Sequence, residues 1–343
     1  KGAGDCKGKS NLLIVLLNSI GVTANPVLVN TRIGNALSHY KPSACHFNHV
    51  IIRVEMAGKT YYFDPTMQHQ AGDFEHAAHL DLGYGLNLTA AGEDLVKLPR
   101  DISRKLFEIR HRFDFREAGK GNGSVTITRK FLAQHADRTR SYIASSEITD
   151  VQKDYFERAE EDCGLELLTV KPFTVVKDDA NTNLLVTEEQ YEITNMDSDD
   201  EDDEDDEVFV TTTFHRGFPY PDDKKFQLQI SADGELEHYI DVLYPSEIPE
   251  EQCSSKASNP YFKYHKEVWS EGKALHFYTR VTPLREVVDH ADIGEYESAA
   301  RQLYRRRYSK FPYQSIAAGS TICVAMAALL LLASLIAAII AVL

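Results

Sequence analysis

Three features of the sequence predict an α+β protein that ends in a membrane-spanning helix. An apolar helical segment, residues 12–20, precedes two alternating strand-like segments that are joined by a short turn. From about residue 101 the pattern changes to many short alternating segments with turns between them, as in an antiparallel sheet or sandwich. Finally, residues 316–343 form an apolar run without a single charge.

These features divide the 343-residue chain into four expected parts. Residues 1–100 hold the helix and the first strands. Residues 101–300 form a β-rich domain with one helix and, at 197–207, an acidic loop whose like charges cannot pack and should stay disordered. Residues 301–315 form a basic segment before the membrane helix at 316–343.

Composition and charge exclude several classes of function. Hydrophobic residues make up 43% of the chain, enough for a sizeable core. The net charge is −15, and residues 197–207 alone carry ten acidic side chains, so the sequence argues against a nucleic-acid partner. The five cysteines are widely spaced and no C-x-x-C pair occurs, which argues against a disulfide framework or a zinc site. No cofactor or metal is expected.

The pattern that points to catalysis is a cysteine at the start of a helix, followed by one strand that contains a histidine and another that ends in an aspartate. Cys6 opens the apolar helical segment, His49 lies in the first alternating run, and Asp64 ends the second. A helix N-terminus stabilises a thiolate through its unpaired N–H groups and its dipole. A thiol nucleophile needs a base, and the base needs an orienting group, so this chain order fits a thiol acyl-transfer triad.

Four motifs carry a resemblance to a known family. They are, in chain order, Gly-Asp-Cys-Lys at 4–7, Pro-Val-Leu-Val-Asn-Thr-Arg at 26–32, Phe-Asn-His-Val-Ile at 47–51 and Phe-Asp-Pro-Thr at 63–66. Over about the first 75 residues, the chain resembles the transglutaminase-like (papain-like) core, in the version found in multidomain bacterial proteins with β-rich domains of unknown function. The resemblance implies that Cys6 is the nucleophile, His49 the base, and Asp64 the group that orients His49.

Two features depart from the family pattern. In the family, helices before the cysteine help to build the core, and a polar side chain from that region commonly helps to hold the oxyanion. The present sequence starts at Lys1, close to the nucleophile, so it is interpreted as N-terminally truncated. Gly8 also stands where the familiar motif has an acidic residue.

The sequence also makes predictions about burial and topology. The run from Leu12 to Leu17 is apolar almost all round, so that helix is expected to be buried. Residues 316–343 exceed the length needed to cross a bilayer. The basic cluster from Arg305 to Lys310 before them predicts a single-pass anchor with the globular part in the cytoplasm. A signal peptide on a missing N-terminus would instead export the domain.

The leading functional hypothesis is a membrane-anchored, transglutaminase-like cysteine enzyme that acts on protein or peptide amides through a thioester. The acceptor could be water, giving a peptidase or deamidase, or an amine, giving cross-links. The alternative is a non-catalytic, membrane-anchored interaction scaffold that retains the three residues without their chemistry.

Overall fold

The computed structural model describes residues 4–78, 80–116, 123–194, 207–212, 214, 217–219, 228–250 and 252–312. The chain is mostly β, with 43% strand and 25% helix. The predicted α+β class is therefore wrong. The glycines and histidines of residues 67–100 are typical of a connecting loop, but this segment contributes two strands. No helix of the described residues is long and apolar enough to span a membrane.

Two sequence predictions fall outside the described residues. The predicted membrane helix at 316–343 is not part of the described structure, and neither is the acidic run apart from Glu207, which begins a strand. Attachment to a membrane, with the globular part in the cytoplasm, stays a prediction.

The described chain divides into two compact units. The first comprises Lys1–Asp101, Leu132–Tyr142 and Asp179–Leu184, and the second comprises Ile102–Phe131, Ile143–Asp178 and Leu185–Leu343. Two short segments from later in the sequence thus belong to the unit that contains Cys6, His49 and Asp64.

The first unit is built on a five-stranded antiparallel sheet and one N-terminal helix. The strand order is β3-β2-β1-β4-β5, which makes β3 an edge strand. Two short 3₁₀ helices, Gly34–His39 and Ala44–His46, lie between β1 and β2. The elements are α1 (Cys6–Ser19), β1 (Thr23–Val29), β2 (His49–Met56), β3 (Lys59–Phe63), β4 (Tyr84–Asn87) and β5 (Leu95–Lys97).

Helix α1 packs against the sheet on one side only. Asp5 caps its start, and Gly21, with φ of +82°, follows its end in the left-handed conformation that glycine tolerates best. The apolar side chains Leu13, Ile14 and Leu17 contact a cluster on the sheet formed by Ala24, Ile52 and Val54. The prediction of a buried helix is wrong, because the remaining apolar side chains are 55–74% exposed: Leu12, Val15, Leu16 and Ile20.

The second unit contains an eight-stranded sheet in the order β13-β14-β15-β12-β6-β7-β9-β8. Strands β6 and β12 run parallel, although they are neighbours in a largely antiparallel sheet. The strands of this sheet are β6 (Lys105–Asp114), β7 (Gly123–Leu132), β8 (Leu167–Asp179), β9 (Leu184–Ile193), β12 (Glu235–Leu243), β13 (Gln252–Ser258), β14 (Phe262–Glu271) and β15 (Ala274–Pro283).

Helices and two small ribbons complete the chain. The pattern from Arg138 to Asp162 predicts the one helix of the β-rich domain, but the structure has two helices there, separated at Ser146 and Glu147. Serine side chains compete for backbone hydrogen bonds, which favours a break at the pair Ser145-Ser146. The elements are α2 (Gln134–Ser145), α3 (Ile148–Cys163), α4 (Ile293–Arg305), β10 (Glu207–Thr211) paired with β17 (Tyr308–Pro312), and β11 (Leu228–Gln229) paired with β16 (Val287–Val288).

The core of the second unit contains a buried ion pair. Arg129 on β7 donates to Glu189 on β9, and both side chains are almost fully buried. The second carboxylate oxygen of Glu189 accepts a hydrogen bond of 2.8 Å from Tyr191, and the Arg129 guanidinium lies 5.0 Å from the centre of the Tyr155 ring. Removing one partner of a buried pair leaves an uncompensated charge, which costs more than the pair itself contributes.

We expect Arg129→Met to lower the free energy of unfolding by about 3–5 kcal/mol, because it leaves the Glu189 carboxylate unpaired inside the sheet. The double variant Arg129→Met/Glu189→Met should recover a large part of that loss. Urea denaturation followed by the fluorescence of Trp269 measures both. Additive losses in the double variant would contradict the interpretation.

Two histidines form a second buried polar contact in this unit. Nδ1 of His111 lies 2.8 Å from Nε2 of His238, and both rings are fully enclosed. Burial, together with the positive charges of Lys266 and Arg129, lowers the pKa of His238 to about 3. Burial and the neighbouring His238 hold the pKa of His111 well below its usual value.

This contact predicts a loss of stability in mild acid. The unfolded chain protonates both rings below about pH 6.5, whereas in the folded chain the pKa of His238 is about 3 and that of His111 also lies well below its usual value. Stability should therefore be fully present above pH 6.5 and fall below it, by up to about 1.4 kcal/mol per pH unit for each ring. In His238→Gln the slope of unfolding free energy between pH 6 and 5 should be smaller. Identical slopes would show that the pair does not control the acid response.

Candidate functional site

Cys6 is the first residue of α1 and is partly exposed. The helix begins there because Asp5 acts as its N-cap, with Oδ1 accepting a hydrogen bond of 2.9 Å from the Gly8 N–H. This bond lowers the pKa of Asp5, which also lies 3.6 Å from Lys7. The thiol thus stands where a helix presents unpaired N–H groups.

Ser10 anchors the first turns of α1 to the strand that carries His49. Its side chain is fully buried, and Oγ donates a hydrogen bond of 3.2 Å to the carbonyl of Val50. Cys6 lies four residues earlier on the helix, on the same face, and His49 immediately precedes Val50. The bond therefore sets the N-terminal part of α1 close to the start of β2. Sequence reasoning missed Ser10, because its neighbours Lys9 and Asn11 are also polar and nothing local distinguishes the serine.

His49 and Asp64 are brought together by the hairpin of β2 and β3. The two strands pair with Ile52 opposite Phe63, and the turn between them places Gly58 at a φ of +75°. Asp64 follows β3 directly, so it returns to the end of β2 where His49 begins the strand. Nε2 of His49 lies 2.7 Å from Oδ2 of Asp64, and both side chains are largely buried.

The Asp64 carboxylate is held by further hydrogen bonds. Its Oδ1 accepts from the Thr66 N–H at 2.8 Å and from the Thr66 hydroxyl at 2.6 Å. Gln70 donates to the Asp64 carbonyl oxygen at 2.6 Å. An ionised carboxylate only accepts, so the proton in the contact belongs to Nε2 of His49, and Nδ1 keeps the lone pair of the neutral ring.

Thr66 and Gln70 were not predicted as site residues. The signal for Thr66 was present in the Asp-Pro-Thr sequence, because an aspartate commonly accepts from the backbone two residues further on in a turn. Gln70 has no comparable local signature, since its partner is a backbone carbonyl that only the folded loop brings into reach.

Two asparagines fix the backbone segment that leads to His49. Asn48 accepts a hydrogen bond of 3.0 Å from the Thr31 N–H, and its own N–H donates to Val29 at 3.1 Å. Asn30 donates to the carbonyl of His46 at 2.6 Å. These contacts join the end of β1 to the residues before β2, so the backbone on which His49 stands is well constrained.

Cys6 is not bonded to His49. Among the residues that the structure describes, no hydrogen bond links the thiol to the imidazole. Alternation along β2 gives His49 the face of Ile51, whereas α1 packs on the face of Ile52 and Val54. A thiol–imidazole contact would therefore have to form across the end of the strand rather than on the face that α1 covers.

The other cysteines differ in accessibility. Cys163 is buried, and burial raises the pKa of its thiol. Cys253 is partly buried and Cys45 is exposed, while Cys323 lies outside the described residues. Within the described part of the chain, no group of three or more metal-binding side chains comes together.

Comparisons with known proteins add little. No protein-family model matches the chain, and a search of curated proteins finds no match. The chain is similar to a solved structure of a candidate protease from Parabacteroides distasonis, with 9% identity and a TM-score of 0.40. The match covers 88% of this chain but only 43% of that protein. A likeness this low supports no conclusion about fold or activity.

Proposed function

We propose that this protein is a cysteine acyl-transfer enzyme that acts on protein or peptide amides, as the resemblance to the transglutaminase-like core implies. The observation that carries the proposal is the His49–Asp64 hydrogen bond of 2.7 Å, with the carboxylate held in turn by Thr66. An imidazole oriented by a fixed carboxylate, near a cysteine at a helix N-terminus, is the arrangement that thiol catalysis requires.

The first half of the reaction forms a thioester. The Cys6 thiolate attacks the amide carbonyl carbon, and an S–C bond forms as the carbonyl oxygen becomes an oxyanion. The backbone N–H of Cys6, in the first turn of α1, serves as one donor to that oxyanion. The His49 imidazolium then protonates the leaving nitrogen, and the C–N bond breaks. Asp64 keeps the ring in the correct tautomer and stabilises its positive charge.

The second half releases the acyl group. Neutral His49 takes a proton from water or from an amine as either attacks the thioester carbonyl. The C–S bond breaks and the thiol is restored. Water yields a carboxylic acid, and a lysine amine yields a new amide. The same three residues serve both outcomes, so access of water or amine to the thioester decides between hydrolysis and cross-linking.

The alternative function is a non-catalytic interaction protein. The lack of a hydrogen bond between Cys6 and His49, among the residues described, favours it. In unbound enzymes, however, catalytic hydrogen bonds are often long and tighten only when substrate binds. Thiol reactivity therefore distinguishes the two functions better than the resting geometry does.

We expect Cys6 to be the most reactive thiol of the folded protein, because a helix N-terminus and a neighbouring imidazolium each favour the nucleophilic thiolate. The measurement is alkylation by limiting iodoacetamide near pH 6.5, with mass-spectrometric counting at each cysteine. Exposed Cys45 is the competitor, and Cys253 is the internal reference. His49→Ala should slow the labelling of Cys6 strongly.

A matched control is available for the histidine variant. His76 forms a similar contact with Asp73, at 2.6 Å, on an exposed turn. His76→Ala should leave the labelling of Cys6 unchanged. If Cys6 labels no faster than Cys253, or if His49→Ala has no more effect than His76→Ala, the scaffold function becomes the better proposal.

A second prediction concerns Thr66. Thr66→Val keeps the shape of the side chain but removes the hydroxyl that holds the Asp64 carboxylate. A hydrogen bond of this kind contributes about 1 kcal/mol, so we expect about a fivefold slower labelling of Cys6 and an altered pH dependence. Thr66→Ser should restore the normal rate and pH profile. A valine variant that labels like the parent would show that Asp64 is positioned without Thr66.

A further inference from the structure

An apolar pocket of about 80 Å³ lies beside the edge strand β3 in the first unit. Its walls include three aromatic rings, of Tyr61, Phe63 and Phe74, together with the aliphatic side chains of Leu80 and Leu98. None of the lining side chains carries a formal charge at neutral pH. The pocket therefore fits an uncharged, apolar group.

Phe74 forms an open wall of this pocket. The centre of its ring lies 4.9 Å from that of Tyr61 and 5.9 Å from that of Phe63, so the three rings pack as a cluster. Phe74 is nevertheless 48% exposed. An aromatic cluster that remains open to solvent is typical of a surface that binds a ligand.

The turn that carries Phe74 is fixed at its start by backbone hydrogen bonds of Gly72 and Asp73. The N–H of Gly72 donates to Ala180 at 2.7 Å, and the N–H of Asp73 donates to Asn181 at 3.1 Å. Gly72 has a φ of +97°, and a Cβ there would lie 2.7 Å from a backbone carbon four residues further on. Only glycine allows this approach, which holds Phe74 in place.

The Asp73 side chain fixes the other half of the turn. Its Oδ1 accepts from the N–H groups of Glu75 and His76, each at 3.0 Å, and from Nδ1 of His76 at 2.6 Å. The contact with the His76 ring is the main cause of the lowered pKa of Asp73. An exposed aromatic ring on a turn this constrained is preorganised for contact, because little conformational freedom is lost on binding.

The pocket lies close to the candidate catalytic pair. Phe63 immediately precedes Asp64 and pairs with Ile52, and His49 lies three residues from Ile52 along β2. At about 3.3 Å per residue, the nearest wall is about 10 Å from His49 along the sheet. His49 and Phe63 lie on opposite faces of the sheet, so an extended peptide whose amide meets His49 would pass over the edge strand β3 and reach the pocket with a side chain about three residues away.

We propose that this pocket selects the substrate by binding a branched aliphatic side chain, of the size of valine or leucine, about three residues from the amide that Cys6 attacks. The size follows from the volume of about 80 Å³, which is roughly half that of an engineered cavity of about 150 Å³ that binds benzene. A substrate role for the pocket rests on the proposed function, whereas binding in the pocket does not.

Binding is tested with the full chain and two capped amino acids. N-acetyl-leucine methylamide should shift the NMR signals of ¹³C-labelled Phe74, and N-acetyl-glycine methylamide should bind at least about tenfold more weakly, as expected for lost apolar contacts. Phe74→Ala should abolish the preference for the leucine compound. In this variant, binding is followed through the NMR signals of ¹³C-labelled Phe63. Phe209→Ala is the matched control, because Phe209 is also a half-exposed phenylalanine, at 42%, in the second unit. Equal binding of the two compounds would overturn the proposal.

Selection is tested with a library of capped peptide amides and hydroxylamine as acceptor. Products should be enriched in valine and leucine about three residues from the reacting amide, and Phe74→Ala should remove that enrichment, whereas the control Phe209→Ala should keep it. Unselective products from the parent would overturn the substrate role. If Cys6 is inert, the proposed function fails, yet leucine binding that Phe74→Ala abolishes would still establish the pocket as a ligand site.

Discussion

The contact between His49 and Asp64 is the interaction on which the candidate site depends. It exists because β2 and β3 pair in one register, and a shift of a single residue would send Asp64 to the opposite face of the sheet. Thr66 and Gln70 then fix the carboxylate and the loop after it. The histidine ring is thus oriented by a hairpin, a turn and two side chains, before any substrate is present.

Helix α1 connects this pair to the cysteine through a smaller set of contacts. Three leucine and isoleucine side chains hold the helix on the sheet, and Ser10 fixes its first turns to the strand of His49. The opposite face of the helix remains exposed and apolar. The position of Cys6 is therefore less constrained than that of the His49–Asp64 pair, which agrees with the absence of a thiol–imidazole bond among the residues described.

Two contacts between buried polar side chains lie in the second unit. Arg129 and Glu189 neutralise each other between neighbouring strands, whereas His111 and His238 stay uncharged because burial disfavours their protonation. Loss of either Arg129 or Glu189 would leave an unpaired charge inside the sheet. The pair of histidines makes the fold sensitive to acid. Neither contact involves the candidate site, so both concern stability.

The sequence by itself determined the local features. The cap at Asp5, the helix start at Cys6 and the strands of His49 and Asp64 follow from side chains within a few residues of each position, and the order of the motifs suggested the chemistry. Tertiary structure alone decided the rest: that α1 is covered on one side, that residues 132–142 and 179–184 join the first unit, and that β6 and β12 run parallel. The predicted α+β class was wrong for the same reason. Strand pairing and burial depend on contacts between segments that are far apart in the chain. Local periodicity does not indicate which of these segments pair.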